Sequence, residues 1–316
     1  MTALAAGIHA DVPESVYHAD PCAEPSLSSS VAKVLIGQSP MHARWMHPRL
    51  NPAHFLPTDP TKAMERGSAI HALILGKGAA VEVLPFDDFR KKEAQIARDA
   101  ARLAGRIPLL AADAAEVRLV VDAARAQIEA RPDLAGFFAP GRSEVTGIWQ
   151  DHGAMCRMRV DRLPDDVTRN PFPTIYDVKT TGLSAKPEDF GKQMFAMGYD
   201  ISAAFYSRGL RALFPHIRHT RMVFIVVEQD PPYALSAIEV AGEAIVHAEE
   251  SVDLAVRTWA RCIAANDWPG YDPEIFRLGD VPAWRGMSSE IRKMAMQTRL
   301  DRWQRPADAA AAAAAG

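Results

Sequence analysis

Two stretches decide the reading: CRMRVD at residues 156–161 and TIYDVK at residues 174–179. Side chains alternate faces along an extended segment. Cys156, Met158 and Val160 therefore take one face, and Arg157, Arg159 and Asp161 the other. In the second stretch Asp177 and Lys179 share a face, opposite Tyr176 and Val178. Each segment presents a carboxylate and a cation on one side. Such charges are costly to bury unless they pair, hold a metal or line a wet cleft. Surface ion pairing accounts for either segment alone. Two carboxylates with a lysine two residues beyond the second ask for more. Hard divalent ions such as Mg²⁺ take few protein carboxylates and complete their shell with water and phosphate oxygens. Asp161 and Asp177 suit that task, and Lys179 suits orienting or deprotonating a water beside it.

Around these stretches the pattern is that of an α/β core. Residues 143–150 and 154–161 read as strands joined by an Asp-His-Gly turn, a hairpin signal. A third strand covers 174–179, and a long helix covers 188–213 with Pro187 at its start. Strands at 221–228 and 233–240 and a helix at 242–265 follow. Upstream, residues 1–25 read as irregular. Ser28, Ser29 or Ser30 caps a short helix to about Ile36, and another helix runs from Thr61 to a stop at Gly76. Residues 86–130 read as two helices broken at 105–108. The expected organisation is a mostly helical region over 1–140 packed on a core over 141–290. A C-terminal helix and an alanine-rich, disordered tail occupy 291–316.

Composition narrows the class. The chain has 316 residues, 48% of them hydrophobic, enough for a core without disulfides. Cys22, Cys156 and Cys262 are too few and too scattered for a disulfide scaffold or a cysteine-bound zinc or iron–sulfur site. No apolar run is long enough to span a membrane, and no leader pattern opens the chain, so the expectation is a soluble cytoplasmic protein without membrane contact. A net charge of -3 gives no global sign of nucleic-acid binding, so any such site is local. From Ser26 to Thr58 there is no acidic residue, while Lys33, His42, Arg44, His47, Arg49 and His54 all fall there. That stretch is either a basic loop surface or a contact for something anionic.

Other residues fit around the first set. Glu144 begins the hairpin and is a third candidate carboxylate. His71, in GSAIH at 67–71, lies beside an apolar helical stripe, either as a structural residue or as a metal ligand or phosphate contact. Tyr199, Ser202 and Tyr206 share a helix face, as packing or as a polar tip reaching a DNA backbone. Lys33 and Arg66 join Arg157 and Arg159 as candidate DNA contacts. The spacing of Asp161, Asp177 and Lys179 is the PD-(D/E)xK nuclease pattern, with Asp in the Glu position.

The runs SLSSSVAKVLIGQSP, AMERGSAIHALILG, EVTGIW, CRMRVDRLP, YDVKTT, YDISAAFY, DWPGYDPEI and PAW occur in that order. Together they resemble the C-terminal nuclease domain of exonuclease VIII, a phage and prophage recombination family of the PD-(D/E)xK superfamily. The resemblance runs from about Gly7 to Trp284. It implies a restriction-endonuclease-like core with a central mixed β-sheet flanked by helices. It also implies a Mg²⁺-dependent exonuclease, with Mn²⁺ as a substitute and one or two ions per site. Such an enzyme degrades one strand of linear duplex DNA 5′ to 3′, leaving a 3′ overhang for a single-strand annealing recombinase. A ring-like homo-oligomer is implied as well. Position by position, His71 matches the family's GxxxH histidine, Glu144 its first acid and Asp161 its metal-binding aspartate. Asp177 and Lys179 match its DxK pair, and Tyr206 the tyrosine of QxxxY. The glutamine of that last motif is Ser202 here, which puts substrate placement in question. Other readings are a structure-specific endonuclease or single-strand nuclease, and a DNA-binding module that has lost catalysis.

Overall fold

A computed structural model describes residues 3–51, 53, 59–271 and 294. The expected C-terminal helix and tail, His54 and the PAW run lie outside the described residues. The N-terminal part contains β1 (Gly7–His9), α1 (Glu14–His18), β2 (Leu27–Ser28), α2 (Ser29–Gly37), α3 (Pro40–Met46) and α4 (Lys62–Leu75). Next come β3 (Val81–Leu84), α5 (Lys92–Leu103), β4 (Ile107–Leu110) and α6 (Ala111–Glu129). The hairpin β5 (Gly141–Asp151) and β6 (Ala154–Pro164) leads to β7 (Thr174–Thr181), α7 (Pro187–Ala196) and α8 (Tyr199–Leu213). The strands β8 (Arg221–Glu228) and β9 (Leu235–Glu239) and the helix α9 (Glu243–Ala265) complete the described elements. None of the described helices is long and apolar enough to cross a membrane.

The helix ends follow from capping chemistry. Ser28 accepts from the Val31 N–H, and Thr61 from the Met64 N–H, at the N-termini of α2 and α4. Gly76 closes α4 in the left-handed conformation. The single helix expected over 188–213 is in fact two. Gly198, at φ +63°, turns the chain between α7 and α8. The break expected at 105–108 holds β4, which pairs in parallel with β3 as a small separate sheet.

Strand order in the main sheet is β1-β5-β6-β7-β8-β9, with β2 added against β6. Only β7–β8 and β2–β6 are parallel. Joining β7 to β8 in parallel requires a crossover, which α7 and α8 provide. Two apolar layers cover the sheet. Val31, Trp149, Met158, Phe205 and Trp259 pack on the face of α2, α8 and α9. Ile70, Val117, Val121, Val178 and Ile225 pack on the face of α4 and α6.

The feature that positions the site is a split. β6 pairs with β7 at Arg162–Tyr176 and with β2 at Leu27–Cys156 and Ser28–Arg157. Between those points the two long strands part, and Asp161 lies at the edge of the gap. Its Oδ2 accepts the Val178 N–H at 2.9 Å, so a side chain replaces the missing ladder bond.

Candidate metal and phosphate site

Alternation along β6 holds: Cys156, Met158 and Val160 join the α8-side core, so Asp161 projects toward α4. On β7, Tyr176 and Val178 join the α4-side core, so Asp177 and Lys179 project toward α8. The two acids thus approach from opposite faces of the sheet, and the split between their strands lets both into one cleft. That cleft, of about 520 Å³, is lined by Asp161, Asp177, Lys179, Glu144, His71 and Arg159, with Tyr206 at its wall.

His71 reaches the gap from α4. Its Nε2 donates to Asp161 Oδ2 at 2.8 Å, and its Nδ1 is 3.5 Å from Glu144 Oε1. His71, Glu144 and Asp161 each offer a donor atom within 4.8 Å of the others. Glu144 has φ +57°, and the ladder on either side of it, Ser143–Arg162 and Val145–Val160, skips it. A left-handed conformation at a non-glycine residue costs about 1–3 kcal/mol and persists where surrounding contacts enforce it. Here Arg159 Nε bonds the Glu144 carboxylate, and Arg159 Nη1 donates to Val12 O at 3.0 Å.

Glu144, Asp161 and Asp177 are all buried. Burial opposes the charge on Asp161, but His71, Lys179 and the Val178 N–H outweigh it and lower its pKa. Asp177 goes the other way: burial and then the neighbouring charge of Asp161 raise its pKa. Lys179 contacts Asp177 Oδ2, and beyond that ammonium this oxygen has no hydrogen-bond partner among the described residues. Burial weakens the hold of Lys179 on its proton, but Asp177 and Asp161 reverse this and raise its pKa. His71 follows the same logic, with burial overcome by Asp161 and Glu144. Three carboxylates with one underused oxygen, held by an imidazole and two side-chain cations, are a donor set that fits a hard dication.

The remaining sequence candidates separate. Arg157 does not reach the cleft. It is buried, its Nη1 donating to Ser26 O and Oγ at 2.8 and 2.7 Å and lying 3.2 Å from Asp20 Oδ1. Arg66 is tied to Gln229 O at 2.7 Å and to Glu116 at 3.2 Å, and is not among the residues lining the cleft. Ser202 and Tyr206 are buried rather than an exposed tip, although Tyr206 borders the cleft. Tyr199 stacks between Phe190 and Phe224. The acid-free stretch is largely spent on internal contacts. His47 is buried 3.1 Å from Asp20, Arg49 donates to Cys22 O at 2.7 Å, and His42 bonds Ser39 Oγ at 2.6 Å.

Sequence reasoning missed the cleft wall formed by Glu14, Tyr17 and His18 of α1. A five-residue helix in a proline-marked stretch carries no periodic signal. It also missed Ser29 and Ser30, whose clustering signalled only a cap.

The model of the family described as a PDDEXK-like domain of unknown function (DUF3799) matches residues 42–276. No match was found among curated proteins. Among solved structures the chain is similar to a provisionally named exonuclease of Eubacterium rectale, at 14% identity and TM-score 0.51. That similarity covers 82% of this chain and 90% of the other. At such identity the likeness speaks to fold: a mixed α/β sheet flanked by helices.

Proposed function

Since the chain belongs to the PDDEXK-like family DUF3799, we propose that its cleft hydrolyses DNA phosphodiesters as a Mg²⁺-dependent exodeoxyribonuclease. The substrate is the end of linear duplex DNA, degraded 5′ to 3′ with Mn²⁺ as a substitute ion. The product is a 3′ overhang for a strand-annealing partner. One observation carries this reading: Asp161, Asp177 and Lys179 meet in the gap between β6 and β7. The exonuclease name of the similar structure agrees with it.

Glu144, Asp161 and Asp177, with His71, are the residues that would hold the ion. When bound, such an ion polarises the scissile phosphate and lowers the pKa of a neighbouring water. The chain's own groups do the rest. Val178 N–H and His71 fix the rotamer of Asp161 before substrate arrives. Arg159 fixes Glu144 in its left-handed conformation. Lys179 Nζ, in contact with Asp177, orients the attacking water and offsets negative charge growing on the phosphate oxygens. Water adds at phosphorus and the bond to the 3′ oxygen breaks, leaving a 5′-phosphate and a 3′-hydroxyl.

The test compares linear duplex labelled at one end with a covalently closed circle, each with Mg²⁺. Loss of the linear form alone is expected. Cutting of the circle would favour the endonuclease reading. An Asp177→Ala protein that still degraded the linear duplex would sink the site assignment.

A further inference from the structure

Among the described cations of the acid-free stretch, Lys33 comes close to Lys179 by sharing the Tyr199 ring with it, although it is not among the residues lining the cleft. It lies on α2, two helical positions beyond Val31 in the core, on a helix that packs against α8. Its stem crosses Gly198: a Cβ on that glycine would come within 3.2 Å of both Lys33 Cγ and Cδ. Its ammonium ends 5.1 Å from the centroid of the Tyr199 ring. The Lys179 ammonium lies 5.3 Å from the same centroid.

Two lysines on one aromatic ring is an arrangement with a cost. The ring attracts each ammonium, but the two repel, being within about one screening length of each other in a half-buried setting. Lys179 has Asp177 against it. Lys33 has no carboxylate hydrogen-bonded to it among the described residues; Asp177 and Asp200 act on it only from a distance. Burial and Lys179 together draw its pKa down to about 8. Lys33 is thus a half-buried cation at the rim of an acid-rich cleft, with no carboxylate paired directly to it among the described residues.

We infer that Lys33 is a phosphate-binding residue beside this cleft, across the Tyr199 ring from Lys179, gripping the phosphate next to the scissile one on the strand that Lys179 attends. This rests on the nuclease reading above and deepens it. Gly198 then has a second duty besides its turn, since a side chain there would crowd the lysine stem and push it aside by a few tenths of an ångström. Ser202, one helical turn along α8 from Gly198, is short and buried. Lys33 therefore supplies from α2 a cationic arm beside the cleft wall that Tyr206 of α8 forms.

Full-length protein carrying Lys33→Met keeps the stem and loses the charge, and Lys33→Arg restores the charge. Degradation of end-labelled linear duplex with Mg²⁺ is followed from about 50 to 200 mM salt, and log(kcat/KM) is plotted against log salt. For Lys33→Met the expectation is a loss of about tenfold in kcat/KM at low salt and a slope shallower by about one. Lys33→Arg should recover most of both. A purely structural lysine would lower activity without moving the slope, so an unchanged slope overturns the inference. Lys33→Gln repeats the measurement should methionine disturb the fold, judged by thermal unfolding. Wild-type protein that left duplex DNA intact would overturn the nuclease reading and this one with it. Active wild type with an unaltered Lys33→Met slope overturns only the role given to Lys33.

Discussion

Replacing Arg157 with methionine separates the two arginines of β6. Arg157 shares a face with Arg159, yet it serves a buried cluster rather than the cleft. Its guanidinium faces Asp20, whose side chain is fully buried and whose oxygens also take the Ser26 N–H at 2.9 Å and Ser26 Oγ at 2.7 Å. Removing one partner of a buried ion pair costs about 3–5 kcal/mol, because the other charge is stranded. Asp20 would keep Ser26 and the His47 imidazole at 3.1 Å, which points to the low end, about 3 kcal/mol. Urea unfolding followed by tryptophan fluorescence suits the measurement. Trp259 packs 5.4 Å from the His47 ring and donates to Pro25 O, so its emission reports on this region. Adding Asp20→Asn should cost less than the two single changes predict, since both act on one contact. A loss below about 1 kcal/mol combined with weakened DNA binding would refute the reasoning and return Arg157 to the list of DNA contacts.

Four further outcomes follow from the same geometry. Asp20 has its pKa drawn down from 3.8 to about 2; burial opposes this, and His47, Arg157 and Ser26 overcome it. The folded value lies below the unfolded one, so this stabilisation is complete above about pH 4 and fades as pH falls toward 2. Acid titration of Asp20→Asn should show a flatter limb there, and an identical limb would count against the assignment. Lys179→Met should lower kcat at least about a hundredfold while circular dichroism stays native; retained cleavage would remove Lys179 from the mechanism. His71 holds its proton more tightly than a free imidazole because Asp161 and Glu144 face it. Mg²⁺ or Mn²⁺ affinity, measured by calorimetry, should therefore weaken as pH falls and His71 protonates, and a flat profile between pH values of about 6 and 8 would contradict this. Gly198→Ala places a Cβ at φ +63° against the Lys33 stem. A loss of about 1–2 kcal/mol is expected in thermal unfolding, and wild-type stability would show that the turn tolerates a side chain.

Much of the core was legible because strand alternation is a local property. CRMRVD and IYDVK announced which side chains share a face, and the Asp-His-Gly turn fixed their partner strand. The serines at 28–30 announced α2 by capping, the apolar face after Thr61 announced α4, and Gly76 marked its end. What the sequence hid is non-local. Where β6 and β7 part, β6 pairs instead with β2, two residues long, at Cys156 and Arg157. The partner of Arg157, Asp20, lies far away in sequence, so nothing near Arg157 distinguished it from Arg159. The long helix at 188–213 read as continuous because a single glycine in a helical pattern does not reveal its φ. Glu144 was picked out for its carboxylate, but its left-handed backbone was hidden for the same reason. Arg66, on the favoured helix, turned out to be occupied by Gln229 and Glu116.

The family match starts at residue 42, yet Tyr17, Ser29 and Lys33 come before it, and so does Asp20, which latches that leading segment onto Arg157. Cutting the gene to the matched boundaries would yield a protein lacking one jaw, with a guanidinium entombed and nothing to answer it. The leading forty residues are thus better treated as inseparable from the rest of the fold than as a dispensable preface, and any fusion or trimming at that end should leave the latch intact.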